Sequence, residues 1–484
     1  MLIKFRILAL LNLVYCYLPC MAFLFGWCRL SVSIPSSVLL VVMIYVYIKQ
    51  MKNEDSVEIR MPVLIITLLS SLLVCVILGF GGVFANYYDY IKHSAVIQDM
   101  VMYDWPVYYQ KNEPVMLTYY LGQYLIPSLF GKMFNNRFVA ELLFGLFGWV
   151  GVYLLYLNLF MVVKPSNSRR QLLLMVMFFF FSGMLMPLKA IFKILVPLDT
   201  FELMDPHWFG INGWRLQYRS VLTSIRWVFP QYIVPCIGVA MLLNDKNMKY
   251  RALMILPSFI SGTWGFLCLV MLVVLQYVID CVKSKKPDYN IVSVQNITIA
   301  LIGVVFLLYF VGNLSLDKPD YMKFSIILNP LYYLKCYIPF VLFMFGFYVL
   351  LVWKDFRNDS LFLSMVIMLL LIPCFKMGYY NDFVMCTSMP ALFLCASFVF
   401  KFLFSTKARQ TKRHVLLCIC LLLASSSPII EFLSLFPLKT QSFSKRSLVK
   451  YTDMDAEVDD DCMKYNYFTY YPEKTLFYKY IAKK

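Results

Sequence analysis

Asp89 and His93, two residues suited to acid–base chemistry, lie four positions apart near the start of a polar and aromatic segment, residues 86–113. If this segment is helical, a spacing of four places both side chains on one helix face. The segment directly follows an apolar run, so we expect it at a membrane surface, where a partly desolvated carboxylate can act as a general base toward a hydroxyl group. A solvated loop beside an interfacial belt of tyrosines is the alternative. On this pattern we predict that Asp89 and His93 are catalytic.

The same segment contains a second group of candidates in the sequence DMVMYDWP, residues 99–106. Proline disfavours helix in the residue before it, so a short helix is predicted to end near Trp105. We predict a catalytic role for Asp104 and substrate binding for Asp99, Trp105 and Tyr108, because a wall of aromatic rings can stack on a sugar. The alternative for the rings is the aromatic belt that membrane proteins have at the lipid–water interface.

Two later segments between apolar runs add polar and cationic candidates. Arginine binds phosphate oxygens through paired hydrogen bonds, so the first segment is predicted to hold a phosphate-bearing substrate, with anchoring to lipid headgroups as the alternative. In the second segment, a simple ion pair between the two candidates is the alternative to substrate binding. The substrate-binding residues predicted here are His207, Trp208, Arg215, Gln217, Arg219, Arg226 and Gln231 in the first segment, and Lys376 and Asp382 in the second.

Membrane-spanning helices must position these candidates. The chain has 484 residues, of which 61% are hydrophobic and only 15% are charged. Apolar runs of about 20 residues recur from end to end. Because lipid cannot hydrogen-bond the backbone, such runs predict an all-α polytopic membrane protein. About 13 transmembrane helices are predicted, near residues 7–28, 33–48, 61–84, 138–162, 171–191, 228–243, 251–262, 263–282, 291–312, 328–352, 360–375, 387–405 and 415–436.

Short loops rich in lysine and arginine alternate with long loops along the chain, and this alternation indicates orientation. Cytoplasmic loops carry the excess of lysine and arginine, so the N-terminus is predicted to be cytoplasmic and the C-terminus outside. The net charge of +17 is explained by these basic loops, and we therefore predict no nucleic-acid partner. Most of the acidic residues lie in the long loops predicted outside, which are residues 85–137, 189–227, 313–327, 376–386 and 437–484.

Residues 114–131 form an apolar run that contains glycine, proline and several polar residues. We predict an amphipathic surface helix here, because a span would move the basic loop at residues 164–170 to the outside. The domains that follow are an N-terminal helix pair (1–60), a transmembrane core (61–436) with outer loops 85–137 and 189–227, and an outer C-terminal tail (437–484).

Several chemical motifs are absent from the chain. It has no glycine-rich phosphate loop and no HExxH or GxSxG motif, and none of its 14 cysteines forms a CxxC pair. The sequence therefore does not support ATP hydrolysis, a zinc site or a disulfide framework. We also find no inverted repeat of the kind that many transporters have.

The order of elements around the first outer loop resembles that of the GT-C type integral membrane glycosyltransferases. In that order an aspartate after an apolar helix, here Asp89, is followed by surface helices ending near Trp105-Pro106 and Phe130-Gly131, and Asn136-Arg137-Phe138 then opens the next span. The likeness covers roughly residues 61–436. Stretches that look like patterns in uncharacterised bacterial relatives are Trp208, Gln217-Tyr218-Arg219-Ser220, Trp227-Val228-Phe229-Pro230-Gln231, Asn381-Asp382-Phe383-Val384-Met385 and Ser388-Met389-Pro390.

The chain departs from the family pattern at two points. Cys386 stands where we would expect an arginine, and no DxD motif occurs in residues 61–436. A phosphate contact at position 386 is therefore not expected. The first departure leaves the other arginines as the phosphate candidates, and the second leaves metal dependence open.

The resemblance implies specific roles for the candidate residues. Asp89 becomes the catalytic base, and His93, Asp99 or Asp104 would support it. A divalent cation, Mg²⁺ or Mn²⁺, is an optional cofactor, for which Asp89 and Asp104 are the candidate ligands. The phosphate candidates implied are Arg215, Arg219 and Arg226.

The resemblance also implies an activity and its partners. We expect transfer of a sugar from a polyprenyl-phosphate carrier to an envelope polysaccharide or lipid acceptor, at the outer face of the bacterial cytoplasmic membrane. The partners are then the lipid-linked sugar donor, the glycan or lipid acceptor and membrane lipids. The alternatives are a polymerase of O-antigen or capsule repeat units and a transporter or flippase of lipid-linked sugars.

Overall fold

The computed structural model consists of a bundle of apolar helices with short strands at both ends of the bundle. In the residues it describes, nine helices are long and apolar enough to cross a bilayer, and two shorter apolar helices are also present. The chain is therefore an all-α, multi-pass membrane protein. The described residues are 1–51, 55–82, 84, 88–110, 114–195, 208–211, 214–315, 320, 323–378, 381–405, 412–436, 438 and 466–483.

The helices are numbered here in chain order. They are α1 (Phe5–Trp27), α2 (Leu30–Gln50), α3 (Met61–Ile77), α4 (Tyr88–Met102), α5 (Gly122–Met133), α6 (Arg137–Val163), α7 (Ser168–Phe179), α8 (Leu185–Leu195), α9 (Val221–Asn244), α10 (Arg251–Ile255), α11 (Pro257–Ser261), α12 (Thr263–Ser284), α13 (Val294–Val311), α14 (Pro330–Phe356), α15 (Ser360–Leu371), α16 (Asp382–Phe404), α17 (Lys412–Ala424) and α18 (Ser426–Leu433).

The strands are short and antiparallel. They form three two-stranded sheets, β1–β2, β5–β6 and β7–β8, and one three-stranded sheet in the order β3–β4–β9. The strands are β1 (Leu2–Lys4), β2 (Ser56–Glu58), β3 (Tyr108–Gln110), β4 (Pro114–Leu117), β5 (Phe209–Ile211), β6 (Trp214–Leu216), β7 (Ser325–Ile326), β8 (Phe375–Lys376) and β9 (Phe468–Tyr470).

Helix α6 packs closely on its neighbours because three glycines recur along it. A Cβ atom at Gly145 would clash with the backbone of Gly81, and one at Gly151 would clash with Tyr15 of α1. Small residues let membrane helices approach closely where lipid provides no hydrophobic driving force. The side chains of Asn12 and Asn158 also join α1 to α6 through two reciprocal 2.9 Å hydrogen bonds. The N-terminal helix α1 therefore packs directly on α6.

The segment predicted as one span at residues 171–191 is divided into α7 and α8. The backbone between them is hydrogen-bonded by other helices: Phe181 O accepts from Val221 N at 3.0 Å, and Met184 N donates to Phe343 O at 3.0 Å. Non-helical backbone is tolerated at membrane depth when protein neighbours satisfy it in this way.

The amphipathic helix predicted at residues 114–131 is wrong in its first part. Residues 114–117 are strand β4, which pairs with β3 and with β9 from the far end of the chain. The helix itself, α5, begins at Gly122; it buries Tyr124 and Leu125 and exposes Phe130.

The prediction of a membrane-spanning helix at residues 251–262 also differs from the structure. This segment contains α10 and α11, which together extend about 16 Å at 1.5 Å per residue, too short to cross a bilayer. The predicted break at residues 261–263 is confirmed, because α11 ends at Ser261 and α12 begins at Thr263.

The loops rich in lysine and arginine contact one another at one end of the bundle, which we call the basic face. Strand β1 pairs with β2, and Lys164 forms a 2.8 Å ion pair with Asp55. Further along the chain, Ser293 Oγ donates to Lys249 O at 2.9 Å, and Arg413 forms a 2.6 Å ion pair with Asp355.

The loops predicted outside contact one another at the other end, which we call the opposite face. Arg29, between α1 and α2, donates to Lys479 O at 2.8 Å, and strand β9 pairs with β4. Asn381 Nδ2 donates to Arg215 O at 3.1 Å. The described part of the C-terminal tail is thus docked on β4 and on the turn between α1 and α2.

Cysteine labelling tests this two-faced arrangement. Asp104→Cys and Lys474→Cys should react alike with a membrane-impermeant maleimide on intact cells, whereas Lys286→Cys and Lys354→Cys should react only after the membrane is permeabilised. All four positions are exposed, and unsubstituted protein sets the background from native cysteines. Equal labelling of Asp104→Cys and Lys286→Cys on intact cells would contradict the arrangement.

Candidate functional site

Helix α4 is held against α6 by a buried carboxylate. Tyr90, Ser94 and Gln98 recur every four residues and so share one face of α4. Glu141 of α6, only 1% exposed, accepts hydrogen bonds from Tyr90 Oη at 3.0 Å and from Ser94 Oγ. Arg137, one turn earlier, donates to Glu141 Oε1 at 3.3 Å and to Gln98 Oε1 at 2.6 Å. The carboxylate thus has both a cation and hydroxyl donors, which a buried charge requires.

His93 lies beside this cluster and is also buried. His93 Nδ1 and Tyr124 Oη are 2.5 Å apart, which joins α4 to α5. The imidazole ring also packs near Phe144 of α6 and Phe229 of α9, with centroids 6.0 and 6.2 Å away. His93 is therefore a point where four helices meet.

Asp89 lies one helical turn before His93, in the first turn of α4. The predicted helical spacing of the two residues is thus confirmed for the backbone. The side chain of Asp89 lies outside the described part of the structure.

Asp99 of α4 and the aromatic residues that follow this helix hold the chain between α4 and α5 in place. Tyr109 Oη donates to Asp99 at 2.8 Å, and both side chains are buried. Burial, and then the negative charge of Asp99, raise the pKa of the Tyr109 hydroxyl well above its usual value, so it remains a donor. Trp105 packs on Trp27 of α1, with the ring centroids 5.2 Å apart. Tyr108 packs edge-on against Tyr478 of the tail, with the ring centroids 6.1 Å apart. These contacts join the chain after α4 to α1 and to the C-terminal tail, and the predicted substrate binding by Asp99, Trp105 and Tyr108 stays a prediction.

Asp104 does not join this cluster. Its side chain is fully exposed and forms a 3.1 Å ion pair with Lys132 at the end of α5. From Asp89 to the end of α4 at Met102 the axis extends about 20 Å, whereas a metal–oxygen bond is about 2.0–2.6 Å long. Asp89 and Asp104 therefore do not fit one divalent cation. Among the described residues, no group of three or more His, Cys, Asp or Glu side chains is placed to hold a metal ion.

A second group of candidates surrounds the N-terminal end of α9. Ser220 caps the helix, accepting from Thr223 N at 2.9 Å. Arg219 Nε donates to Gln217 Oε1 at 3.3 Å, and its Nη2 contacts Met385 of α16. The Arg219 Nη1 atom is buried and has no hydrogen-bond partner within the described residues. It is therefore a donor that an anionic ligand could use.

Arg226 has a different environment, because Glu431 of α18 already binds it. Glu431 is 2% exposed and accepts from Arg226 Nη1 at 3.4 Å, from Trp227 Nε1 at 2.8 Å and from Thr223 Oγ1. Three donors of α9 thus converge on one carboxylate. The predicted phosphate role of Arg226 would require Glu431 to share or leave this position.

The other predicted residues lie around the ends of these helices. Arg215, in the β5–β6 hairpin, is tied to α16 through its backbone, and Asp382 begins α16. Lys376 lies in β8, and Gln231 lies deeper on α9 against Gly262. Trp208 is half-buried before β5, and His207 lies outside the described residues.

The two groups meet through Phe229 of α9. The centroid of its ring lies 5.0 Å from the ring centroid of Phe144 and 4.0 Å from that of Phe80. The same ring also contacts His93. Phe229 is three residues after Arg226 on the same helix. His93 and Arg226 therefore lie close to each other at the opposite face, because both are near Phe229.

The most connected polar residues of this region were not among the predicted site residues. They are Glu141, Arg137, Tyr124 and Glu431. A signal for two of them was available, since carboxylates within apolar spans are rare and usually face the bundle interior. Their hydrogen-bond partners come from other helices, so sequence spacing alone could not identify the pairs.

Comparisons of the chain with protein-family models, with curated proteins and with solved structures gave no match. The resemblance to GT-C type glycosyltransferases therefore rests on the short motifs alone.

Replacement of Glu431 tests the clamp on α9. Glu431→Ala should destabilise the purified protein by about 3 kcal/mol, because it leaves the largely buried Arg226 without a counter-charge. Glu431→Gln should lose less, since an amide oxygen still accepts from Trp227. The measurement is the midpoint of thermal unfolding in detergent.

Asp104→Ala is the matched control, because it removes a carboxylate from an exposed ion pair, which contributes little to stability. If Glu431→Ala and Asp104→Ala lower the midpoint equally, Glu431 does not hold α9.

Proposed function

We propose that this protein is a membrane glycosyltransferase. It transfers a sugar from a lipid-phosphate carrier to an envelope polysaccharide or lipid acceptor, and it acts at the opposite face, which is the outer face of a bacterial cytoplasmic membrane. The N-terminus is then cytoplasmic and the docked tail is outside. The basic loops support this orientation through the positive-inside rule.

One observation carries the proposal: a side-chain contact joins the helix that contains Asp89 and His93 to the helix that begins just after Arg219. His93 and Phe229 are in ring contact, so α4 and α9 are neighbours at the opposite face. Glycosyl transfer needs this combination, a base for the acceptor and a cation for the departing phosphate.

The proposed reaction is a displacement at the anomeric carbon of the donor sugar. Asp89 accepts the proton of the acceptor hydroxyl while its oxygen forms the new bond to that carbon. The bond between the carbon and the phosphate oxygen breaks, and the lipid phosphate leaves with the bonding electrons. Arg219 stabilises the negative charge that develops on this phosphate. His93, held by Tyr124, helps to position α4.

A lipid-linked donor also explains why the site lies in a membrane protein. The polyprenyl tail is soluble only in the bilayer, whereas the sugar and phosphate are polar. Buried polar clusters near the helix ends, such as Glu141 with Arg137, place charged groups beside apolar helix surfaces. Such a boundary is where both parts of the donor can be accommodated.

The base is tested by transfer assays on membranes that contain the protein. Asp89→Asn should lower sugar transfer about 100-fold or more, the usual contribution of a general base. The probes are polyprenyl-phosphate-linked hexoses and pentoses, radiolabelled in the sugar. Asp104→Asn is the control: it changes a carboxylate of the same outer loop that lies exposed beside Lys132, and it should leave transfer unchanged.

Transfer that survives in Asp89→Asn would remove Asp89 from this role. Products that grow by whole repeat units, with no single-sugar product, would favour the polymerase over the single-sugar transferase.

The phosphate ligand is tested by comparing two arginines of the same segment. Arg219→Gln should raise the KM for the lipid-linked donor about tenfold or more, the effect of losing one charge-assisted hydrogen bond. Arg226→Gln should change this KM less, because Glu431 already binds Arg226. The opposite ranking would assign the phosphate to Arg226 and would require Glu431 to move on donor binding.

A further inference from the structure

The basic face contains a cavity of about 650 Å³ between the end of α2 and the turn that joins α9 to α10. Tyr47, Lys49 and Gln50 line it on one side, and Asp245 and Lys249 line it on the other. Ligand-binding cavities are typically about 300–1,000 Å³, so this volume suits a small molecule or a headgroup rather than a single ion.

The walls of the cavity are fixed by hydrogen bonds and ring packing. The rings of Tyr47 and Tyr250 are 5.0 Å apart, and Tyr250 Oη donates to Gln50 Oε1. Within the turn, Asn247 N donates to Asp245 Oδ1 at 2.8 Å, and the Asn247 side chain accepts from Lys249 N at 3.0 Å. The cavity is therefore formed by ordered elements on both sides.

Positive charge predominates around the cavity. Lys49 and Lys249 line it, and Arg251 follows two residues later, only 1% exposed. Arg251 Nη1 donates to Leu242 O at 3.3 Å, while its Nε and Nη2 have no hydrogen-bond partner in the part of the chain that the structure describes. Among the lining residues that the structure describes, Asp245 is the single carboxylate. Asp245 partly offsets the charge of Arg251, so the two lysines give the described lining a net positive charge, which favours an anionic occupant.

The position of the cavity relates it to the lipid surface. Helix α2 is apolar and largely exposed, as expected of a lipid-facing span, with Val38, Val41 and Tyr45 on its exposed side. It ends at Gln50, so the mouth beside Lys49 lies where lipid headgroups begin. Basic pockets at the cytoplasmic ends of membrane helices are sites for anionic headgroups.

We propose that this cavity binds the phosphate headgroup of an anionic phospholipid. Lys49 and Lys249 contact the phosphate. The volume accommodates the glycerol and phosphate groups, and the acyl chains lie along the exposed side of α2. This site is on the face remote from the proposed transfer site, and it does not depend on that function. A soluble phosphate ester has the same chemistry, so the experiment separates the two sources.

Lipid binding by the full-length, delipidated protein provides the test, measured by native mass spectrometry with phosphatidylglycerol, with neutral phosphatidylcholine and with sn-glycerol 3-phosphate. The double variant Lys49→Gln/Lys249→Gln should weaken phosphatidylglycerol binding about thirtyfold, which corresponds to about 1 kcal/mol for each lysine. The control is Lys286→Gln/Lys354→Gln, which removes the same charge from exposed positions of the same face and should retain binding.

Equal weakening in both double variants would overturn the proposal, because it would show attraction to the basic face as a whole. Equal binding of phosphatidylcholine would also overturn it. Binding of glycerol 3-phosphate as tight as that of phosphatidylglycerol would assign the cavity to a soluble phosphate ester and contradict the lipid assignment.

Discussion

Burial of the Glu141 carboxylate is the interaction on which the half of this protein at the opposite face depends. A membrane interior does not solvate charge, so a carboxylate on a span must find its partners within the protein. Glu141 finds them in Arg137 of its own helix and in Tyr90 and Ser94 of α4. Helix α4 is therefore docked on α6, and the turn that carries Asp89 and His93 has a defined place at the opposite face.

Helix α9 connects this docked helix to the cationic segment. Arg219 lies just before its N-terminal end, where Glu431 also binds Arg226, and Phe229 contacts His93 about one turn after Arg226. Close packing of α6 on α1, on α9 and on the turn at residues 80–82 through its glycines keeps the supporting bundle compact. Helix α4, with its acid–base candidates, and the arginine-bearing start of α9 thus become neighbours. More than 100 residues separate these candidate side chains in the sequence.

The sequence predicted well those features that depend on local patterns. Apolar runs identified α1, α2, α6 and α13, and Pro106 correctly indicated the end of α4. Features that depend on distant partners were missed. Strand β4 forms because β9 pairs with it from residues 468–470, and the span at 171–191 breaks because Phe343 and Val221 satisfy its backbone.

The features of the candidate site also divide into those set by local sequence and those set by distant partners. The helical spacing of Asp89 and His93 could be predicted from the sequence, because helical periodicity is a local property. Asp104 was placed in the site by its residue type, whereas its exposure beside Lys132 is a property of packing. Glu431 lies near the end of the span predicted at residues 415–436, and it binds three side chains of α9 from more than 200 residues away.

The central claim is that a lipid phosphate binds at the opposite face, between α4 and the outer end of α9. Photo-crosslinking tests it most directly, with a polyprenyl-phosphate sugar that carries a diazirine in the isoprene unit next to the phosphate, followed by mapping of the labelled peptides. The account predicts labels in the peptides that contain Tyr88–Met102 and Gln217–Gln231, and their loss when unlabelled donor competes. Competed labels confined to the loops of the basic face would contradict it.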